Sequence, residues 1–211
     1  MKPRLYVPRL TALLLAVALP VSAPAFVVNI SSAGGTAVYL RVGDGDAGTF
    51  QNNNLTSSTG KTLVSLTVPA ATLGSGVNLP MTSNATRAGS SYENFAFCNV
   101  PAEVYIGGFY RRSGSTTRVA TLVATAPANL TTAGGTTIPS SQISWTSSGI
   151  GDTGAQPVPA GSFNGTGAQQ TLASFNVNTW RESCLRFTYG NDVFPAAGVY
   201  NGTVTFTLIT P

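Results

Sequence analysis

The chain has 211 residues, of which 9% are charged and 43% apolar, with 23 glycines, two cysteines and no histidine. Low charge at that apolar content excludes a disordered chain and allows a packed core. The missing imidazole removes Ser-His-Asp and Cys-His catalysis and every zinc or iron site built on histidine.

The N-terminus reads as an export leader. Lys2, Arg4 and Arg9 form a positive stretch, residues 10–19 are apolar, and Ala23-Pro24-Ala25 fits the small-x-small cleavage rule, so residues 1–25 are expected to be a signal peptide and Phe26 the mature N-terminus. The apolar run is short for a bilayer span, and no later segment approaches ~20 apolar residues, so no transmembrane segment is expected in the mature chain. The expected location is periplasm, cell surface or extracellular space. Removing the three leader residues from the eleven basic ones leaves eight against seven acidic. The formal +4 and the pI near 9.3 therefore belong mainly to the leader and give no argument for nucleic-acid binding.

Beyond the leader, β-branched residues recur and helix formers are scarce. Short alternating runs, broken by Gly, Asn, Ser and Pro, predict strands at 26–31, 37–42, 62–68, 95–100, 103–110, 117–125, 142–145, 171–177, 184–189 and 200–209. Val38, Leu40 and Val42 share one strand face, as do Val204, Phe206 and Leu208. About ten such strands point to an all-β antiparallel sandwich or barrel, with one buried face per sheet. Residues 43–60 and 147–169 read as long loops. The second is a possible domain boundary, but a link between Cys98 and Cys184 would tie its two sides together, so 26–211 is expected to be one domain.

In an oxidising compartment, two cysteines alone suggest a disulfide. Two buried thiols or a metal pair are the alternatives, and the absence of His and of a CxxC spacing argues against metal. Closing that loop would remove roughly 4 kcal/mol of unfolded-state freedom. No cofactor and no catalytic residue is expected. The acids Asp44, Asp46, Glu93, Glu103, Asp152, Glu182 and Asp192 show no spacing that pairs two of them for glycoside hydrolysis. Asp44-Gly45-Asp46 reads as a turn rather than a calcium loop. Arg111 and Arg112, with Arg118 nearby, read as a solvated hairpin tip. Trp145 and Trp180 read as core residues before carbohydrate platforms, and Tyr200 as a loop anchor acting through its hydroxyl.

The tail from Pro195 to Leu208, PAAGVYNGTVTFTL, resembles the end of bacterial chaperone–usher pilins, including their spore-coat-U-like branch, where an AGxYxGTVTxTL-type turn enters the last strand. Bacterial immunoglobulin-like surface domains finish in a similar way. The resemblance covers about the last fifteen residues, and the leader and the Thr-, Gly- and Asn-rich body are of the same type. It implies an antiparallel immunoglobulin-like β-sandwich that is an incomplete, non-enzymatic fimbrial or adhesive surface subunit. Its partners would be further copies of itself and an envelope chaperone. A neighbour's N-terminal extension would complete the sandwich by strand addition. In this chain the candidate donor carries Phe26, Val28 and Ile30, or else spans 37–42, and the candidate C-terminal strand presents Val204, Phe206 and Leu208. The chain departs from the pilin pattern in its cysteines, which lie in the middle and near the end. It also closes on Ile209-Thr210-Pro211 without a near-terminal aromatic. The competing expectation is a self-contained secreted binding module for sugar or protein, which would need an exposed aromatic cleft.

Overall fold

The computed structural model describes residues 28–29, 36–48, 61–92, 94–115 and 117–211. The leader, Phe26 and Ile30 lie outside the described residues. Among the described residues fifteen strand segments follow one another: β1 (Val28–Asn29), β2 (Thr36–Val42), β3 (Gly45–Gly48), β4 (Val64–Ser65), β5 (Leu79–Pro80), β6 (Thr82–Ser83), β7 (Val104–Arg112), β8 (Val119–Thr125), β9 (Asn129–Thr131), β10 (Thr137–Pro139), β11 (Ile143–Ser148), β12 (Gly161–Ser162), β13 (Gln169–Asn176), β14 (Thr179–Tyr189) and β15 (Thr205–Ile209). Helix among the described residues is limited to single 3-10 turns at Ala70–Thr72 and Ser140–Gln142. No helix there is long and apolar enough to cross a membrane.

The strands form an antiparallel sandwich. The larger sheet runs β12-β11-β14-β7-β2-β3, with β1 and β5 on β14. The smaller sheet runs β13-β8-β15. The pairs β4–β6 and β9–β10 are separate two-stranded pieces. Alternation builds the main core. Leu40 of β2, Val104, Ile106 and Tyr110 of β7 and Leu185 of β14 face Ala120, Leu122 and Ala124 of β8 and Phe175 of β13.

The larger sheet is also buried on its other face, against the expectation of one covered side. Residues Val104 to Arg111 of β7 are all buried. The outward set Ala37, Tyr39, Tyr105, Phe109 and Trp180 forms a second apolar cluster with Phe97, Cys98 and Cys184. Residues 95–100 supply its cover rather than a strand. The described residues between Ala88 and Asn99 fold back as a strap, with a bridge from Gly89 to Ala96. Its own bonds run from Ser90 N–H to Phe95 O and from Phe97 and Cys98 N–H to Ala88 O.

The Cys98–Cys184 disulfide fixes the strap to β14, with the Cα atoms 5.5 Å apart. Residues 62–68 keep alternating exposure, but only Val64–Ser65 enters a ladder, with β6. The two expected loops also differ from the reading. The first contains β3, and the second is built into the core. Val158 is fully buried with its N–H on the Ser183 hydroxyl, while Phe163 packs 5.1 Å from Trp145. Scattered apolar residues in a Gly- and Pro-rich run carry no periodicity, so this packing leaves no sequence signal.

Candidate functional site

The open side of the smaller sheet is the feature that could receive a partner. β15 pairs with β8 in the register Phe206 to Ala124 and Leu208 to Leu122. Among the described residues its other edge carries no strand. Burial is graded across this sheet. Leu122 and Phe175 are fully buried, whereas Val204, Phe206 and Leu208 reach the core only partly covered. The facing residues Val38 and Val42 of β2 and Val64 of β4 are partly covered in the same way. A sandwich rim with half-covered inward residues and an unpaired ladder is what an added strand would complete.

The approach to β15 is fixed locally. Tyr200 donates its hydroxyl to the Ala196 carbonyl at 2.7 Å, the loop anchor expected of it. Asn201 and Thr131 exchange two backbone hydrogen bonds of 2.9 and 3.0 Å. Between the β9–β10 hairpin and this loop lies an open groove of about 550 Å³, lined by Thr132, Thr136, Ala197, Val199 and other small residues. It holds no charged side chain.

The larger sheet carries a polar cluster beneath the strap. Tyr105 donates to Glu182 Oε2 at 2.7 Å, and Ser90 donates to the same oxygen at 2.9 Å. Arg41 is buried, lies 5.4 Å from the Tyr105 ring centre, and donates to the Ser91 hydroxyl at 2.9 Å and to Gly43 O at 2.9 Å. Gly107 makes room for it, because a Cβ there would overlap the Tyr105 hydroxyl. These bonds tie β7 and the strap to Glu182 of β14, and the strap to Arg41 of β2, so the cluster is a fastening.

Burial raises the Tyr105 pKa above its ordinary 10.0, reinforced by the charge of Glu182 and the bond to it. A group whose folded pKa is raised stabilises fully below the unfolded pKa and loses that contribution as pH rises. Stability is thus expected to fall above about pH 10, by up to about 1.4 kcal/mol per pH unit from this phenol. Urea unfolding between pH 9 and 11 should show a shallower slope for Tyr105→Phe. Tyr189, raised by its own desolvation and by Asp192 and Tyr200, should leave a residual slope.

The remaining sequence candidates separate. Cys98 and Cys184 are joined, so their sulfurs are not free thiols in this state. Trp145 and Trp180 are 4% and 3% exposed and neither forms a platform. Arg111 is buried on the outward face of β7 instead of standing in a solvated tip, because the outward face is itself covered. Asp44 accepts from Thr86 N–H, the Thr86 hydroxyl and Arg87 N–H, so its carboxylate staples two loops. Residues 37–42 form a central strand paired with β7 and β3, which removes them from the donor role. Val28 pairs with Trp180 at the start of β14.

Sequence reasoning missed Arg41, Glu103 and Asn191 as buried polar residues. Asn191, at φ +54°, binds Gly74 N–H, Thr72 O and the Ser75 hydroxyl across 116 or more positions. Only its place between the expected strands 184–189 and 200–209 hinted at this. In comparisons with known proteins, the chain matches no family model, no curated protein and no solved structure.

Proposed function

We propose that the protein is an exported, non-enzymatic structural subunit of the bacterial surface that assembles with copies of itself by strand addition, in the manner of pilins. The observation that carries this reading is the state of β15. Its outer edge is unpaired among the described residues, and its inward Val204, Phe206 and Leu208 are only partly covered beside the fully buried β8. The donor in this reading is the segment holding Phe26, Val28 and Ile30 of a neighbouring copy, which exchanges the two-residue pairing of Val28 and Asn29 with β14 for the apolar rim beside β15. The alternative of a secreted sugar-binding module loses its best support, since both tryptophans are packed inside. Asp44, Glu103 and Glu182 are each engaged in hydrogen bonds that hold the fold, which favours a structural role over hydrolysis.

The test is the native mass of protein taken from the cell envelope, run unboiled and boiled on a non-reducing detergent gel. A strand-exchanged polymer unfolds slowly and should give a ladder that collapses on boiling. Deleting 26–30 is expected to abolish the ladder while leaving the far-ultraviolet strand signal of the body. A single monomer band from the intact chain in both lanes would overturn the reading.

A further inference from the structure

Glu103 is an unusual interior residue. It is 6% exposed, yet its carboxylate meets only neutral donors: Asn99 N–H on Oε2 at 2.8 Å and the Ser148 hydroxyl on Oε1 at 3.0 Å. No arginine or lysine pairs with it among the described residues. Buried carboxylates are ordinarily paired with a cation or bound to a metal. The neighbours of this one are two cysteine sulfurs, and one carboxylate oxygen and both Sγ atoms lie within 4.8 Å of one another.

We propose that, in the dithiol state, Cys98, Cys184 and Glu103 form a site for a thiophilic divalent cation such as zinc. The strap is then clamped to β14 either by the disulfide or by the metal, and the two clamps exclude each other. The residue types suit the ion: two thiolates and one carboxylate supply three ligands at about 2.3 and 2.0–2.2 Å. Around a tetrahedral ion the sulfurs stand about 3.8 Å apart, a separation that side-chain rotation reaches from Cα atoms 5.5 Å apart. The Phe97 carbonyl, 3.2 Å from the Cys184 Sγ, is a further oxygen within reach.

No sequence motif announces the site, because its third ligand follows Cys98 by five positions and its second lies 86 positions away. The conversion balances with a trialkylphosphine as reductant. The phosphine takes oxygen from one water to become the phosphine oxide, and the S–S bond becomes two thiols. Metal binding then releases the two thiol protons to solvent.

The experiment reduces the full chain with a trialkylphosphine in denaturant, refolds it without oxygen and titrates it with cobalt(II), followed by displacement with zinc. The expected result is a thiolate-to-cobalt charge-transfer band with the visible bands of a tetrahedral site, at one cobalt per chain. These bands should be absent from the oxidised protein and from Cys184→Ser, and binding should weaken about tenfold or more in Glu103→Gln. No band in the reduced chain, or unchanged affinity in Glu103→Gln, would overturn the proposal. If the reduced chain does not regain its strand signal, the folded protein is instead reduced without denaturant and alkylation by iodoacetamide becomes the readout. Zinc should then slow alkylation of both cysteines in the wild type and do so less in Glu103→Gln, and equal rates with and without zinc would overturn it.

Discussion

Replacing Cys98 and Cys184 together by alanine is expected to lower stability by about 2–5 kcal/mol, the range for a native disulfide. Two effects point the same way. The bond joins positions 86 residues apart, and the entropy model assigns about 4–5 kcal/mol to a loop of that length. Both sulfurs are also interior, so alanine leaves unfilled space between the strap and β14. In a thermal scan the loss should appear as a fall of about 5–15 °C in Tm.

The near-ultraviolet signal should weaken as well, because the strap places Tyr92 5.6 Å from Trp180 and Phe97 6.2 Å from Tyr105. A change below about 1 kcal/mol would mean that hydrogen bonds alone, from Ser90 to Glu182 and from Arg41 to Ser91, hold the strap in place.

Trp145→Ala is expected to cost about 3–5 kcal/mol, the range for removing a large aromatic from a core. Trp145 is nearly fully buried in β11, between Phe163 at 5.1 Å and Phe187 at 6.1 Å. Its Nε1 donates to the Pro159 carbonyl at 2.9 Å, and its backbone pairs with Gly161 of β12. Truncation therefore removes an aromatic contact on each side and releases the 157–163 segment. Urea unfolding should show a lower midpoint at nearly unchanged slope. Trp145→Phe, which keeps most of the apolar area and loses the hydrogen bond, should cost less than half as much. A near-neutral Trp145→Ala would show that the 147–169 segment contributes little to the core.

Both predictions concern places where a local signal and a distant partner meet. The alternation of Val38, Leu40 and Val42, and of Val204, Phe206 and Leu208, was readable because side chains change face at every strand residue. Any sheet with a covered side must show that period. The cysteine pair was readable from count alone, and the tyrosine anchor from its place before the last strand. Residues 95–100 show the limit. Their alternation predicts a strand, yet the segment lies as a strap over a second apolar face, since a ladder also needs a neighbouring backbone and the disulfide sets this one aside.

Amino-acid type and order by themselves determined an all-β chain, the inward faces of β2 and β15 and the absence of histidine chemistry. Only the tertiary structure decided that the larger sheet is buried on both faces, which takes Arg41, Arg111 and Glu103 out of water. It alone left β15 with half-covered residues at an unpaired edge among the described residues, and it alone brought Glu103 beside Cys184. The physical reason is separation along the chain. Periodicity reports how one segment meets an interior, whereas the cover over a charged side chain comes from residues tens of positions away, whose arrival no local pattern records.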